Sequence, residues 1–152
     1  MIKSKIVLIG MIFFLSYSET CAEEPNDNLL PYLAYLQVKN QILIFKEVCG
    51  ISYTAKIVDS EKVFISNNPQ FKEIETHPPV ISSDIDAEVH SELDITKKII
   101  KNQLLKYPQV ISDVCDSFVN KLPELSLADL IETTIRLRKE NLKRVKSGDP
   151  GG

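Results

Sequence analysis

The sequence lacks tryptophan and is poor in glycine, proline and cysteine, with 5, 8 and 3 residues of each among 152. So few glycines and prolines exclude a collagen-like chain and a low-complexity disordered one. Three cysteines are too few for a small scaffold held together mainly by disulfides. The length corresponds to one domain, which excludes a multidomain enzyme.

Motifs that carry chemistry are also missing. The chain contains no glycine-rich phosphate loop, no nucleophile elbow, no His-Glu-x-x-His and no Cys-x-x-Cys. Its two histidines are His77, beside paired prolines, and His90. Nothing in the sequence places an imidazole beside a serine or cysteine nucleophile. We therefore predict that the protein is not an enzyme and uses no cofactor.

The first 22 residues have the pattern of a secretory signal peptide. Lys3 and Lys5 precede an apolar run at 6–15, and Thr20 and Ala22 suit the last small positions before a cleavage site. The run is about half the ~20 apolar residues that an uncleaved membrane anchor needs. Glu19, two residues before Cys21, fits a lipoprotein site poorly. We expect a periplasmic or secreted chain, and the isoleucine-, lysine- and asparagine-rich usage favours a bacterial source.

Export determines how the cysteines are interpreted. Cys21 would leave with the signal peptide, whereas Cys49 and Cys115 would remain as an even pair in an oxidising compartment. We predict one structural disulfide between them, which would bring the end of the first helix against the middle of the fourth. The alternative is a reactive thiol, which would need a histidine or arginine neighbour.

Apolar residues recur at helical spacing along almost the whole mature chain. The predicted fold is an all-α, single-domain bundle of about five helices at 23–146, followed by a flexible tail at 147–152. The predicted helices span 28–49, 52–67, 83–107, 109–121 and 126–146, and Gly50 ends the first. Residues 69–82, with paired prolines, are predicted to be an extended connection. Short strands at 42–45 and 63–65 are the alternatives.

The third predicted helix combines an apolar stripe with an acidic start. The stripe consists of Ile85, Val89, Leu93, Thr96, Ile99, Ile100, Gln103 and Leu104. Asp86, His90 and Asp94 recur every four residues, and two carboxylates flanking an imidazole are a candidate divalent-metal site. They face away from the stripe and lack a fourth ligand, so a solvated acidic face is the alternative. Glu92 and Arg138, the charges nearest the apolar stripes, are candidate pocket residues.

Basic residues crowd the end of the last predicted helix. They are Arg136, Arg138, Lys139, Lys143, Arg144 and Lys146, opposed only by Glu140. One interpretation is local: cations stabilise a helix C-terminus, and the acidic residues at 84–94 neutralise them. The other is contact with an anionic surface, either an acidic protein or phospholipid headgroups.

These patterns predict a binding protein. We expect an exported helical module, effector-like in role, that presents a disulfide-braced surface to a protein partner. The alternative is a peripheral binder of anionic membranes that works through the basic helix. Nucleic acid is a poor partner because the net charge is −3, and losing two lysines and one glutamate with the signal peptide makes the mature chain more acidic.

Overall fold

The computed structural model describes residues 29–148, except for the side chains at positions 137, 138, 141, 142 and 145. Within this range the chain forms α-helices and two short 3-10 turns and contains no strand, which confirms the all-α prediction. The helices are α1 (Leu29–Cys49), α2 (Ile51–Asn67), α3 (Pro69–Thr76), α4 (Ser83–Lys106), α5 (Ile111–Lys121) and α6 (Leu127–Ser147). The predicted signal peptide, its Cys21, the helix start at Asn28 and residues 149–152 of the predicted tail lie outside the described residues.

Helix α1 occupies the centre of the domain, and the other helices pack around it. Its buried residues are Leu29, Leu30, Leu33, Ala34, Tyr35, Val38, Ile42, Ile44 and Cys49. A narrow strip at Lys39, Leu43 and Glu47, spaced every four residues, is exposed. A helix that is apolar on nearly every side is stable only when neighbours cover it, and this explains why α1 is central.

Gly50 separates α1 from α2 and has a positive φ of 74°. An L-residue with a side chain would be strained in this conformation, whereas glycine adopts it freely. The predicted helix stop is therefore confirmed. Both segments for which a strand was the alternative, 42–45 and 63–65, are helical.

The predicted disulfide is present between Cys49, at the end of α1, and Cys115, in the middle of α5. The two Cα atoms lie 5.9 Å apart, and both cysteines are buried. Beside the bond, the ring of Phe45 stacks on that of Phe118 with centroids 4.0 Å apart. The disulfide thus closes the main core rather than joining two surface loops.

The prediction that 69–82 is a single extended connection is wrong, because Pro69–Thr76 forms α3. Pro69 occupies the first turn, where its missing N–H costs no hydrogen bond and its fixed φ suits the helix. Phe71 is buried against Tyr35 and Phe64, with centroid distances of 4.7 and 5.1 Å. Only 77–82, which contains the paired prolines, is non-helical.

Helix α4 packs on α1 through a narrower stripe than the sequence predicts. Val89, Leu93 and Leu104 are buried, as expected. Ile85 and Ile99, which were predicted to face inward, are 43% and 39% exposed. The difference arises because α1 covers one side of α4, so the edges of the predicted stripe remain in solvent.

Candidate binding surface

The start of α6 is fixed by two hydrogen bonds to backbone N–H groups. Leu127 donates its N–H to Asn68 Oδ1 at 2.8 Å. Asp129 donates its N–H to Ser126 Oγ at 3.2 Å, so Ser126 caps the helix. Such side-chain oxygens satisfy the N–H groups that have no partner in the first turn of a helix. The direction of α6 is therefore set by the fold at its N-terminus.

The first half of α6 belongs to the core, and the described side chains of its second half do not. Leu127 is fully buried, and Leu130, Ile131 and Ile135 are partly buried against the central helices. Beyond residue 135, every described side chain of α6 is exposed: Arg136, Lys139, Glu140, Lys143, Arg144, Lys146 and Ser147. The side chain of Arg138, the other predicted binding residue, lies outside the described part of the structure.

Four of the exposed cations form a row along one side of α6. Arg136, Lys139, Lys143 and Lys146 are separated by three, four and three residues. At 3.6 residues per turn this spacing places them within an arc of about 80°, over about 15 Å of helix axis. We call these four residues the basic row. Arg144 lies beside the row and is not part of it. The fold thus presents several positive charges in one direction.

The members of the basic row make no ion pair among the described residues. Five lysines elsewhere are paired: Lys39 with Glu75, Lys46 with Glu61, Lys62 with Asp59, and both Lys97 and Lys101 with Glu47. Other exposed lysines, such as Lys72 and Lys121, make no ion pair with a described residue either. No ion pair joins a member of the basic row to a described carboxylate, including those at 84–94. The direct neutralisation that the sequence left open is therefore not seen for these four side chains.

The helix dipole accounts for only part of the basic row. Its favourable effect on cations falls off within the last turn of a helix. Arg144 and Lys146 lie in that turn, but Arg136 and Lys139 lie two to three turns from the end of α6. These two cations lie outside the range of the dipole and make no ion pair with a described carboxylate.

The candidate metal residues do not assemble into a site. His90 Nδ1 lies 2.9 Å from the backbone oxygen of Asp86 and 3.3 Å from its Oδ1. Asp94 does not join this pair, and among residues 29–148 no group of three or more potential ligands could hold a metal ion. Residues eight apart on a helix are about 12 Å apart along its axis, too far to share one ion. The three side chains belong to a helix surface, and Glu92 on the same helix is half-buried.

Among the described residues, the groups with clearly shifted pKa values lie on α1. A hydrogen bond of 2.8 Å donated to Tyr35 Oη raises the pKa of Lys39, which also contacts Glu75. Burial raises the pKa of Tyr32. The hydrogen bond from Lys101 lowers the pKa of Glu47. Lys39 and Glu47 connect α1 to α3 and α4, so these two shifts report contacts between helices.

Comparison with protein-family models, with curated proteins and with solved structures finds no match to this chain. Over the described residues, none of the helices combines the length and apolarity needed to cross a membrane. The basic row is therefore interpreted from its own geometry and charge.

Proposed function

We propose that the protein is an exported helical binding module whose basic row contacts an acidic surface of a protein partner outside the cytoplasm. Two features of the chain support export: the signal-like pattern of residues 1–22 and the disulfide between Cys49 and Cys115. Stable disulfides form mainly in oxidising compartments such as the periplasm or the cell exterior.

The observation that carries this proposal is the clustering of the basic row, which places four cations without an ion pair on one side of a single helix. Four cations on one side of a helix repel one another, and an exposed helix surface gains nothing from this repulsion. Five lysines on α1, α2 and α4 are each matched with a carboxylate of the same chain, and none of these helices carries four unpaired cations on one side. An acidic partner would supply the missing carboxylates for the row. Complementary charges of this kind speed association and select the partner.

The chemistry of the row suits binding rather than catalysis. Arginine and lysine at exposed positions are charged at neutral pH and donate hydrogen bonds to carboxylates or phosphates. Electrostatic stabilisation of a reacting group is strong only where the site excludes water. An open helical surface does not exclude water. We therefore infer an anion-recognising contact surface.

Affinity capture with a charge-reversed variant tests this function. The bait is the protein produced with its own N-terminal segment, and the test variant is R136E/K139E/K143E/K146E. The matched control, K56E/K62E/K72E/K121E, changes the net charge by the same amount at four exposed lysines outside α6. We expect an acidic protein from the surrounding medium to be retained by the wild type and the control and lost by the test variant. Equal retention by all three would refute a role for the row.

The second candidate function is binding to an anionic membrane surface. The row favours it because four cations on one side of a helix can lie together against a flat layer of phosphates. Each lysine or arginine near such a surface contributes about 1 kcal/mol. In vesicle sedimentation, this candidate predicts binding to phosphatidylglycerol but not to phosphatidylcholine, loss in high salt, and loss in the same test variant. If the protein does not sediment with phosphatidylglycerol vesicles at low salt, this candidate is eliminated.

A further inference from the structure

Helix α4 has an outer face, beside the side that packs on α1, whose other residues are exposed around the half-buried Glu92. The face consists of Ile85, Glu88, Ile95, Ile99, Asn102 and Lys106, with the half-buried Glu92 between them. These positions alternate three and four residues apart, which is the spacing of a helix seam. Ile95 is 53% exposed and Ile99 is 39% exposed, one turn apart. Val89 and Leu93, on the adjacent side of α4, pack on α1.

The charges of α4 are divided between its two halves. Asp84, Asp86 and Glu88 lie in the first two turns, and the exposed Lys98 and Lys106 lie in the second half. On the outer face itself, Glu88 lies before Ile95 and Ile99, and Lys106 lies after them. Lys106 makes no ion pair with a described residue and lies 5.8 Å from the centroid of the neighbouring Tyr107 ring. From Glu88 to Lys106 the face therefore changes from acidic to apolar to basic along the helix.

We propose that the outer face of α4 binds the same face of a second copy, with the two α4 helices antiparallel about a two-fold axis. When a second copy of the face is turned end for end, its basic end lies against the acidic end of the first copy. In the antiparallel register that centres on the isoleucines, Ile95 packs against the partner's Ile99, and Glu88 meets the partner's Lys106. The two-fold axis makes each contact twice.

The charges also select against the other arrangement. A parallel pair would place Glu88 beside the partner's Glu88 and Lys106 beside the partner's Lys106, and like charges facing each other are destabilising. A heterologous partner would have to match both ends of the face, whereas a second copy does so by symmetry. This inference is independent of the proposed function, since it uses α4 and not the basic row.

The predicted dimer is weak because the seam is a single helix with few apolar residues. Interfaces of this size lie below those of stable complexes. The dimer therefore forms in the micromolar range or above, and sedimentation velocity or light scattering over a series of concentrations detects it. The protein is produced with its own N-terminal segment and is used in the form to which the cell processes it.

The decisive experiment reverses each charge of the Glu88–Lys106 pair singly and then both together. E88K faces the partner's Lys106, and K106E faces the partner's Glu88, so each single variant creates two repulsive contacts and weakens dimerisation about tenfold or more. The double variant E88K/K106E restores attraction at both contacts and returns the dimer. The matched control D94K makes the same charge change on the side of α4 away from the face and dimerises like the wild type.

A second variant tests the apolar part of the seam. I95S removes an exposed isoleucine from the centre of the face, so it weakens the dimer without lowering the melting temperature of the monomer. The proposal is overturned by a wild-type protein that stays monomeric at the highest concentration. The proposal is also overturned if E88K and K106E dimerise as strongly as the control D94K, since another surface would then hold the two copies together.

Discussion

Asn68 joins three parts of the fold through one buried side chain. Its Nδ2 group donates to the backbone oxygens of Phe64 and Leu125 at 2.8 and 2.9 Å, and its Oδ1 accepts from Leu127. The residue is only 4% exposed, so water cannot replace these bonds. Buried groups that lose such partners carry the full cost of their desolvation.

Replacing Asn68 with alanine is therefore expected to lower the free energy of unfolding by about 2–4 kcal/mol. Urea unfolding followed by circular dichroism measures the change. The neighbouring Asn67 provides a matched control, because it donates one exposed bond of 3.2 Å to Pro123. Asn67→Ala is expected to lose less than about 1 kcal/mol. Equal effects of the two substitutions would contradict the structural role of Asn68.

Glu47 makes the link between α1 and α4 dependent on pH. It pairs with Lys97 and Lys101, and the hydrogen bond from Lys101 holds its pKa below the ordinary value of 4.5. A lowered folded-state pKa means that this stabilisation is present above the pKa of the unfolded chain and disappears as the pH falls through the folded value. The wild type should melt above Glu47→Gln at neutral pH, and the two melting temperatures should converge below pH 4.5. A difference that persists in acid would contradict this assignment.

At the scale of the element, α3 depends on one aromatic side chain. Phe71 fills the space between Tyr35 and Phe64, and α3 has only eight residues, too few to be stable alone. Phe71→Ala is expected to cost about 3–5 kcal/mol of unfolding free energy. Ile74→Ala, at a partly buried position of the same helix, is the control and should cost less. Thermal unfolding distinguishes the two, and an equal loss would show that α3 is not held by Phe71.

The sequence predicts most helices because their apolar spacing is long and regular. It misses α3 because two features of 69–82, the prolines and the shortness of the apolar pattern, indicate an extended segment, and the burial of Phe71 is a long-range effect. It also assigns Ile85 and Ile99 to the core because periodicity locates a stripe but does not show how many neighbours cover it. The basic residues of α6 are visible in the sequence, whereas their lack of pairing is seen only after folding.

For the whole molecule, the disulfide is the main covalent constraint. It joins cysteines 66 residues apart, and closing a loop of that length contributes about 4 kcal/mol by restricting the unfolded chain. Tyr53 Oη contacts Ser112 Oγ and Asp116 Oδ1, each at 3.1 Å. These contacts tie α2 to α5, the helix that carries Cys115.

Cys49→Ser/Cys115→Ser is therefore expected to lose about 4 kcal/mol of unfolding free energy. The measurement is urea unfolding under non-reducing conditions. Adding a thiol reductant serves as the control, since it should lower the stability of the wild type towards that of the variant and leave the variant unchanged. A variant as stable as the oxidised wild type would show that helix packing alone determines stability.

Export with an intact disulfide underlies the account of the whole molecule, and intact-mass spectrometry of the protein recovered from its natural producer tests it most directly. Treatment with an alkylating agent without reduction should leave Cys49 and Cys115 unmodified. We predict a chain that begins at Glu23 and is lighter than its reduced form by two hydrogen atoms. A chain that retains Met1 and carries an alkyl group on both cysteines would contradict the account.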